Sequence, residues 1–427
     1  MGTAITLDVG GMSIAWAKNG IGPDFGELYI EANRTMVPEG TEIDADGFGG
    51  AAFVAPLRDV VARIALLGHS IAALEGIYEA AAVEEADTRA YLNESNSGSG
   101  QPIDLLSFGA FKAFVAEVTV MDLDNTFVHD THHEYGSREY DAAVRGRFAD
   151  DPRAERIPTT LSGGEGWSER SHFASLISFL DPYSQLLLLT QNPKNLDAPV
   201  TWCYGPLVEA GWAEEDAFQP HARRSDRFLI ATEGSSDVHI LRHAFANLRP
   251  GIADFFHFFD VSESHPFSGV GNMVRFSEGL AKIDVLNRVV FLLDNDAEGA
   301  DGLRRILEKP LRPNMRAMTL PSLPQFERFA TIGPEGLGEA DINGRAAAIE
   351  CYLDLRVAGL PDPVVRWSGY KEMSGAYQGA LERKERFARA FLDEFDPKSV
   401  QDTRNIEAVL DAIVAECTDM AEVLTSK

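Results

Sequence analysis

Two short apolar runs, each ending in acidic residues, constrain the fold of this chain more than any other feature. The run "RFLIATEGSSD" (Arg227 to Asp237) has the length of a strand and stops at Glu233, a glycine and a Ser-Ser pair that can start a helix. About sixty residues later, "RVVFLLDNDAEG" repeats the pattern and stops at Asp294 and Asp296. In an α/β fold with parallel strands, acids that follow such strands meet at the carboxyl edge of the sheet.

Three carboxylates at one sheet edge form a ligand set for divalent cations. Hard oxygen ligands suit Mg²⁺ or Mn²⁺, and two such ions about 4 Å apart can hold the attacking and leaving oxygens of a phosphodiester. A single acid after a strand is more commonly a turn residue or a helix cap. Two such acids in this order, joined by a glycine turn, favour the metal site.

The segment from about Arg223 to Leu323 resembles the TOPRIM domain, the metal-binding module of topoisomerases, bacterial primases and nucleases of the overcoming-lysogenization-defect (OLD) class. Between the acidic runs, "FFHFFDV" predicts a strand and "GVGNMVRFSEGLAKI" predicts a Gly-x-Gly turn into a helix. Beyond them, "DGLRRILEK" predicts a helix and "MRAMTL" a fourth strand. The resemblance implies a Rossmann-like parallel sheet between helices, with Glu233, Asp294 and Asp296 as catalytic metal ligands.

Three further residues resemble functional positions of the OLD-class nucleases. Asp237, four residues after the first acid, matches a carboxylate that shares the first metal, and it can equally be a first-turn acid beside the helix dipole. "NGRAAAIECYLDL" resembles a helix that supplies a second-metal ligand, which implies this role for Glu350 as opposed to a surface position. A Lys-x-x-Phe-Ala segment implies a transition-state role for Lys384, with a solvated helix face and the cation Lys371 as alternatives.

The first half of the chain predicts a small β element followed by helices. "AITLDVGG" and "MSIAWAKN" alternate in character around a Gly-Gly pair, which suits a hairpin within residues 1–50. From Phe53, "FVAPLRDVVARIALLG" and "SIAALEGIYEAAAVEEA" have helical spacing, and "NESNSGSGQP" predicts a loop. Residues 51–222 are therefore expected to be mostly α.

This order of segments resembles bacterial proteins of the HEPN/Toprim-associated group. The resemblance implies an α/β plus α chain with a small β element at 1–50, a HEPN-like helical region at 51–222, a TOPRIM domain at 223–330 and a helical tail at 331–427 that completes the site. HEPN ribonucleases use a spaced Arg–His pair, and Arg63 with His69 satisfies the spacing. Because the helix-stopping Gly68 lies between them, a surface pair is favoured over a catalytic one.

Two other patterns compete for function. "VTVMDLDNTF" reads as a strand followed by Asp122 and Asp124, the phosphoaspartate signature of haloacid dehalogenase phosphatases, but its surroundings predict helices where that fold needs β and α units in alternation. "HDTHHE" (His129 to Glu134) carries imidazoles and carboxylates that could bind a transition metal, although adjacent histidines on a loop usually point apart.

The net charge limits how the chain can bind nucleic acid. Sixty-six Asp and Glu against 38 Lys and Arg give −28, and such a surface repels phosphates unless basic residues gather locally. The candidates for such a gathering are His221, Arg223, Arg224, Arg227, Arg242, His243, Arg275, Arg304, Arg305, Arg312 and Arg316. A partner protein or a homo-oligomer is the other source of positive charge.

The remaining composition indicates a folded cytoplasmic protein. The 427 residues suffice for two or three domains, and three scattered cysteines fit a reducing compartment. No apolar window of membrane-spanning length lacks charges, and the first residues do not resemble a signal peptide, so we expect no membrane contact. There is also no Gly-x-x-x-x-Gly-Lys-Ser/Thr loop, so no ATPase is expected.

The sequence thus predicts a Mg²⁺- or Mn²⁺-dependent nuclease acting on DNA more than on RNA, with a role in anti-phage defence. A regulatory protein that binds nucleic acid without cleaving it, or only after activation, is the first alternative. A ribonuclease that acts through the helical half is the second.

Overall fold

A computed structural model of the chain forms two compact units. The first comprises Met1–Ala65 and His69–His221, and the second comprises Leu66–Gly68 and Ala222–Lys427. The structure describes residues 3–40, 49–95, 104–128, 134–159, 166–259, 269–283, 285–357, 359–372, 375–394 and 402–426.

The first unit contains a five-stranded antiparallel sheet in the order β2-β1-β5-β4-β3. Its strands are β1 (Ala4–Val9), β2 (Met12–Lys18), β3 (Arg34–Val37), β4 (Gly50–Pro56) and β5 (Pro199–Cys203). The predicted hairpin is confirmed, since β1 and β2 pair directly. Gly10 and Gly11 join them with φ of +56° and +74°, the left-handed backbone that a two-residue hairpin turn requires.

Helices make up most of the rest of the first unit. Several begin at a side chain that caps free amides, as Ser107, Ser168 and Asp181 do for α3, α5 and α6. The helices are α1 (Leu57–Leu67), α2 (Ile71–Ser95), α3 (Phe108–Ala116), α4 (Arg138–Arg145), α5 (Glu169–Ile177), α6 (Pro182–Leu189) and α7 (Gly205–Glu209).

Residues 51–222 contain α1 to α7, and the expectation of a mostly helical region misses two strands. The run from Phe53 was expected to be helical, yet it belongs to β4, and α1 begins only after Pro56. Phe53 is buried and stacks on Tyr29 and Trp202, with ring centroids 5.6 and 5.9 Å apart. Pairing with β3 and β5 therefore overrides the local helical spacing.

The competing patterns of the first half lack the structures they require or fall outside the described residues. "VTVMDLDNTF" forms a 3₁₀ turn at Val120–Asp122 where the phosphatase reading needs a strand. Residues 129–133 of "HDTHHE" lie outside the described ranges, as do residues 96–102 of the predicted loop, while Asn93 to Ser95 belong to α2.

The second unit is built on a four-stranded parallel sheet in the order β10-β8-β6-β7. This confirms the predicted α/β arrangement, with one strand at each expected run. All six residues of β8 are buried, and α9 and α10 pack against this strand. The elements, including a short β9, are β6 (Phe228–Ala231), α8 (Ser235–Leu248), β7 (Phe256–Phe258), α9 (Val270–Lys282), β8 (Arg288–Leu293), β9 (Asn295–Asp296), α10 (Ala297–Leu307) and β10 (Met315–Thr319).

The tail from residue 331 onward is not the helical segment that was expected. It contributes to a second four-stranded sheet, in the order β12-β11-β14-β15, before two helices. The partners of β14 lie far apart in sequence: Thr331 of β11 pairs with Val365, and β15 pairs on the other side. The elements are β11 (Phe329–Gly333), β12 (Gly336–Ala340), β13 (Ala346–Ala347), β14 (Val365–Lys371), β15 (Ala376–Leu381), α11 (Lys384–Glu394) and α12 (Arg404–Thr425).

The helices of the described ranges fall short of a membrane span. Within the described ranges, no single helix has the length and apolar content needed to cross a bilayer, and α1 with α2 reach them only as a pair bent by 81°.

Candidate functional site

Glu233 and Asp294 stand directly after two neighbouring parallel strands. Glu233 follows β6 and Asp294 follows β8, and these strands pair in register from Phe228 with Arg288 onward. The backbone N–H of Asp294 donates a hydrogen bond to Oε1 of Glu233 at 3.1 Å. The structure therefore brings Glu233 and Asp294 into direct contact.

Asp296 is held between a helix start and a distant strand. It is the N-cap of α10, where the N–H of Gly299 donates to Oδ1 at 2.7 Å. The side-chain amide of Gln378 on β15 donates to Oδ2 at 2.5 Å, and its Oε1 accepts from the N–H groups of Ala297 and Glu298. Asp296 thus caps α10 and also lies in the acidic cluster. Gln378 holds both its carboxylate and the start of the helix in place.

Asp237 lies in the first turn of α8, as expected from its spacing. Its Oδ2 accepts from the N–H of Gly234 at 3.0 Å, and its Oδ1 accepts from the hydroxyl of Ser236 at 3.2 Å. It therefore satisfies a free amide at the helix start, and burial still brings it into electrostatic contact with the other acids.

Glu350 reaches the site through a short β pairing. Ala346 and Ala347 of β13 pair with β9, and the 3₁₀ helix Ile349–Tyr352 follows at once, so the expected α-helix around Glu350 is wrong. The surface alternative is also wrong, because Glu350 is only 2% exposed. Its Oε1 lies 3.3 Å from Nζ of Lys384, whereas its Oε2 is buried without a hydrogen-bond partner.

Asn295, between the two aspartates, connects the end of β8 to the segment that carries Glu350 through side-chain hydrogen bonds. Its side-chain oxygen accepts from the N–H of Gly344 at 2.8 Å, and its amide nitrogen lies 3.3 Å from the hydroxyl of Tyr352 and from the side-chain oxygen of Asn343. Sequence reasoning did not identify Asn295, Tyr352 or Gln378. The first is an amide between two acids, and the other two lie more than fifty residues away, so no local pattern marked them.

Burial and neighbouring negative charges raise the pKa values of four of these acids: Glu233, Asp237, Asp294 and Asp296. Burial raises the pKa of Asp294 well above its usual range, and the negative charges of Asp237, Glu233, Asp296 and Glu350 raise it further. Burial also dominates the rise of the pKa of Glu233 to about 7 and that of Asp237 to about 6. The pKa of Asp296 is raised for the same first reason. A cation placed among these groups would relieve both the desolvation cost and the repulsion.

The two candidate lysines occupy different places. Burial lowers the pKa of Lys384, but the nearby carboxylates, first of them Glu350, outweigh this effect, and its pKa is raised. Lys371 contacts the exposed Glu298, with 2.5 Å between Nζ and Oε1. Lys384 also acts on Asp294 and Asp237, so it is the lysine inside the acidic cluster.

The chemical type of the donor atoms suits a hard divalent cation. It consists of carboxylate oxygens, and the unpartnered Oε2 of Glu350 is a buried acceptor that a cation would satisfy. Across the described residues, no group of three or more His, Cys, Asp or Glu side chains converges in metal-binding geometry. Local bonds hold several of these carboxylates apart, among them those to Gln378, Gly234 and Lys384.

The surface pair that was favoured for Arg63 and His69 is not found, because the arginine lies in the interior of the first unit. Arg63 is buried and its Nε donates to the carbonyl oxygen of Glu27 at 2.7 Å. His69 follows Gly68, which has φ of +99°, and its ring contacts Tyr183 edge-on with centroids 5.0 Å apart. Burial lowers the pKa of His69, which disfavours its charged form.

Comparison with known proteins identifies the N-terminal half of the chain. No curated protein and no solved structure matches the sequence. Residues 1–226 match the family model described as HEPN/Toprim N-terminal domain 1. The match ends before Glu233, so the acidic cluster lies outside the matched residues. Because the match covers more than half of the 427 residues, the chain belongs to the family of the HEPN/Toprim N-terminal domain 1.

Proposed function

We propose that this protein is a metal-dependent nuclease that cleaves phosphodiester bonds, in DNA rather than RNA. One observation carries the proposal: Glu233, Asp237, Asp294, Asp296 and Glu350 lie close together near the carboxyl edge of a parallel sheet, and burial with the repulsion between these carboxylates raises the pKa values of Glu233, Asp237 and Asp294. Buried repulsion of this kind is costly to a fold and is commonly found where function needs it. The family name, which pairs HEPN with Toprim, supports a nuclease-like activity.

In this proposal each residue has a distinct task. When bound to these carboxylates, Mg²⁺ or Mn²⁺ supplies an activated water and neutralises charge on the phosphate. Glu350, whose Oε2 is buried without a hydrogen-bond partner, and Asp294 offer oxygens to the cation. Lys384 keeps a positive charge beside them and opposes the negative charge that develops on the phosphate oxygens. Gln378 holds Asp296 in place.

The cleavage test compares substrates and variants in one series. Full-length protein is incubated with supercoiled plasmid, linear duplex, single-stranded DNA or total RNA, in Mg²⁺, Mn²⁺ or EDTA. We expect metal-dependent loss of DNA that Glu233→Gln and Asp294→Asn reduce by at least about 100-fold, the size expected for loss of a group that stabilises the transition state. Glu335→Gln, which changes an exposed acid of the same unit, serves as the matched control.

A second measurement separates metal binding from cleavage. In EDTA, Asp294→Asn removes one of the repelling buried charges, so it should raise the melting temperature above that of the wild type. Adding Mn²⁺ should raise the melting temperature of the wild type and leave that of Asp294→Asn nearly unchanged. Equal Mn²⁺ shifts in both proteins would contradict a metal site at these carboxylates.

An activator-dependent protein is a second candidate, and the local bonds of the cluster favour it. Glu350 is paired with Lys384 and Asp296 with Gln378, so the carboxylates must turn before they can converge on a cation. A Mn²⁺-induced rise in melting temperature without cleavage of any substrate would support this candidate over the constitutive nuclease. RNA loss that persists in Asp294→Asn would instead assign the chemistry to the first unit.

The biological setting is also a proposal. We place the protein in the cytoplasm, where the buried cysteines Cys203, Cys351 and Cys417, which form no disulfide, suit reducing conditions. Cleavage of invading DNA in defence against phage is the role that fits a nuclease of this kind, with a homo-oligomer or a defence partner protein as activator. The corresponding test counts phage plaques on cells that express the wild type or Asp294→Asn. We expect the variant to lose protection against phage at an unchanged protein level.

A further inference from the structure

A pocket in the first unit, unrelated to the acidic cluster, has the features of a ligand site. It has a volume of about 290 Å³ and lies where α5 and α6 pack against the edge strand β2. This volume is near the lower end of the roughly 300–1,000 Å³ typical of small-molecule sites. The pocket therefore suits one small molecule, not a long chain.

The helix that forms its floor provides space through small side chains. Ser171, Ala174, Ser175 and Ser178 line the pocket from α5 and its C-terminal cap, at spacings that lie on one helix face. Larger residues at these positions would fill the volume. The arrangement leaves a cavity between two elements that otherwise pack closely.

Two tryptophans and one arginine give the pocket its chemical character. Trp16 on β2 is 68% exposed, and Trp167 is also exposed. Exposed aromatic rings beside a cavity can stack on a flat heterocycle. Arg170 is only 5% exposed, and its Nη2 donates to the carbonyl of Leu123 at 2.9 Å.

The lining of the pocket is positively charged, whereas the chain as a whole is strongly acidic. Its described lining contains Arg170 and no Asp or Glu, in a protein with 66 acids. Asp124 lies nearby; its pKa is lowered first by hydrogen bonds from Thr126 and further by Arg170. A buried guanidinium in such a lining suits an anion, above all a phosphate that accepts two hydrogen bonds from it.

Gln185 supplies an independent sign of a ligand. It lines the pocket from α6, is only 3% exposed, and its Nε2 donates to the carbonyl of Leu180 at 2.7 Å, which fixes the amide. Its Oε1 is buried without a hydrogen-bond partner. A buried acceptor left unsatisfied costs free energy, and a ligand N–H would satisfy it.

We propose that this pocket binds a nucleotide, with the base against Trp16 and Trp167, a base or sugar donor on Gln185 and the phosphate on Arg170. The proposal goes beyond the nuclease function and does not depend on it. The same chemistry has two sources, a free mononucleotide and the phosphorylated end of a nucleic acid strand. Either would allow the first unit to sense products or signals of nucleic acid breakdown.

The test is isothermal titration of full-length protein in EDTA. The probes are AMP, GMP, CMP and UMP, a 5′-phosphorylated DNA tetranucleotide, and ribose 5-phosphate as the probe that lacks a base. We expect at least one nucleotide probe to bind and ribose 5-phosphate to bind at least about tenfold more weakly, because it cannot stack. Binding of mononucleotides identifies the free ligand as the source, and binding of the tetranucleotide alone identifies a strand end.

Variants make the assignment specific. Trp16→Ala should weaken binding about tenfold, whereas Trp212→Ala, which removes a similarly exposed tryptophan of the same unit, should not change it. Ala174→Leu fills the cavity and should abolish binding. This variant is preferred to a substitution of the buried Arg170, which could impair folding. Asp294→Asn should bind like the wild type, which separates this pocket from the acidic cluster. No binding at millimolar nucleotide, or binding that Trp16→Ala and Ala174→Leu leave intact, would overturn the proposal.

Discussion

Gln378 is the residue that most directly positions a carboxylate of the acidic cluster without being acidic. Its amide bonds Asp296 and the first N–H groups of α10 at the same time. We expect Gln378→Leu to weaken Mn²⁺ binding by about 10- to 100-fold, the usual effect of losing a group that orients a metal ligand. Calorimetric titration of Mn²⁺ measures this change independently of cleavage.

Ser368 provides a matched control for that substitution. Its hydroxyl donates to the backbone carbonyl of Gln378 at 3.0 Å from the neighbouring strand, without reaching the acids. Ser368→Ala should therefore leave Mn²⁺ affinity within about twofold of the wild type, since exposed hydrogen bonds contribute little. If both variants lose affinity equally, Gln378 acts through the strand and not through Asp296.

His172 predicts how the stability of the first unit depends on pH. Burial, followed by the positive charge of Arg145, lowers the pKa of His172 from 6.5 to about 4, and its Nε2 has no hydrogen-bond partner. The unfolded chain therefore binds this proton more readily than the folded one. The contribution of uncharged His172 to the free energy of unfolding is present above pH 6.5 and is lost as the pH falls toward 4. Between pH 7 and 5 the loss is about 1–2 kcal/mol.

Denaturant unfolding followed by tryptophan fluorescence measures this loss. Four of the five tryptophans, at positions 16, 167, 202 and 212, belong to the first unit, so the signal reports mainly on it. His172→Gln should flatten the pH dependence, whereas His221→Gln, at an exposed position of the same unit, should not. An unchanged slope in His172→Gln would mean that other groups control acid stability.

At the scale of elements, the start of α10 is the most tightly constrained feature of the site. A methyl group at Gly299 would collide with the carbonyl oxygen of Asp294, so only glycine lets the helix begin this close to the strand end. We expect Gly299→Ala to lower the free energy of unfolding by about 1–3 kcal/mol and to displace both aspartates. Denaturant unfolding and Mn²⁺ titration measure the two effects.

Gly279 in α9 is the matched glycine. No heavy atom lies within 4 Å of a methyl group placed there, and the position is inside a regular helix. Gly279→Ala should therefore stabilise the protein by about 0.5–1 kcal/mol, because alanine loses less backbone entropy in a helix. Destabilisation by both substitutions would show that α-helix packing, not the Asp294 carbonyl, limits these positions.

At the scale of the whole molecule, several of the basic residues expected to offset the charge of −28 have internal partners. Arg304 bonds Asp301 and Glu308, each at 2.6 Å, and Arg316 lies 3.4 Å from Glu416. Arg312 donates to the carbonyl of Ala281. These pairs leave less positive charge for phosphates than a count of arginines suggests.

We therefore expect DNA binding to depend on divalent cations. In EDTA, the dissociation constant for a short duplex should be about 100 μM or weaker at physiological salt, the weak end of non-specific binding. Ca²⁺, added to limit cleavage, should tighten it at least about tenfold. Fluorescence anisotropy measures both values, and tight binding in EDTA would reveal a basic surface that the internal pairs do not neutralise.

Arg304→Gln is the control for that measurement. Because its charge is already compensated by Asp301 and Glu308, the substitution should change DNA affinity by less than about twofold. A larger loss would show that Arg304 leaves its partners to contact phosphate.

The sequence by itself determined the parallel sheet and the order of its acids. Strand-length apolar runs, glycine turns and helix starts are local signals, so β6, α8, β8 and α10 could be predicted from neighbouring residues alone. The hairpin of β1 and β2 followed from the same kind of signal, the Gly-Gly pair.

Only the tertiary structure decided what completes the site. Pairing of β13 with β9 positions Glu350. The second sheet positions Gln378, and the start of α11 positions Lys384. These contacts join residues 34 to more than 80 positions apart, and the strands involved take their conformation from their partners. Local propensity carries no information about such pairing, which is why the tail was expected to be helical and is mostly sheet before α11.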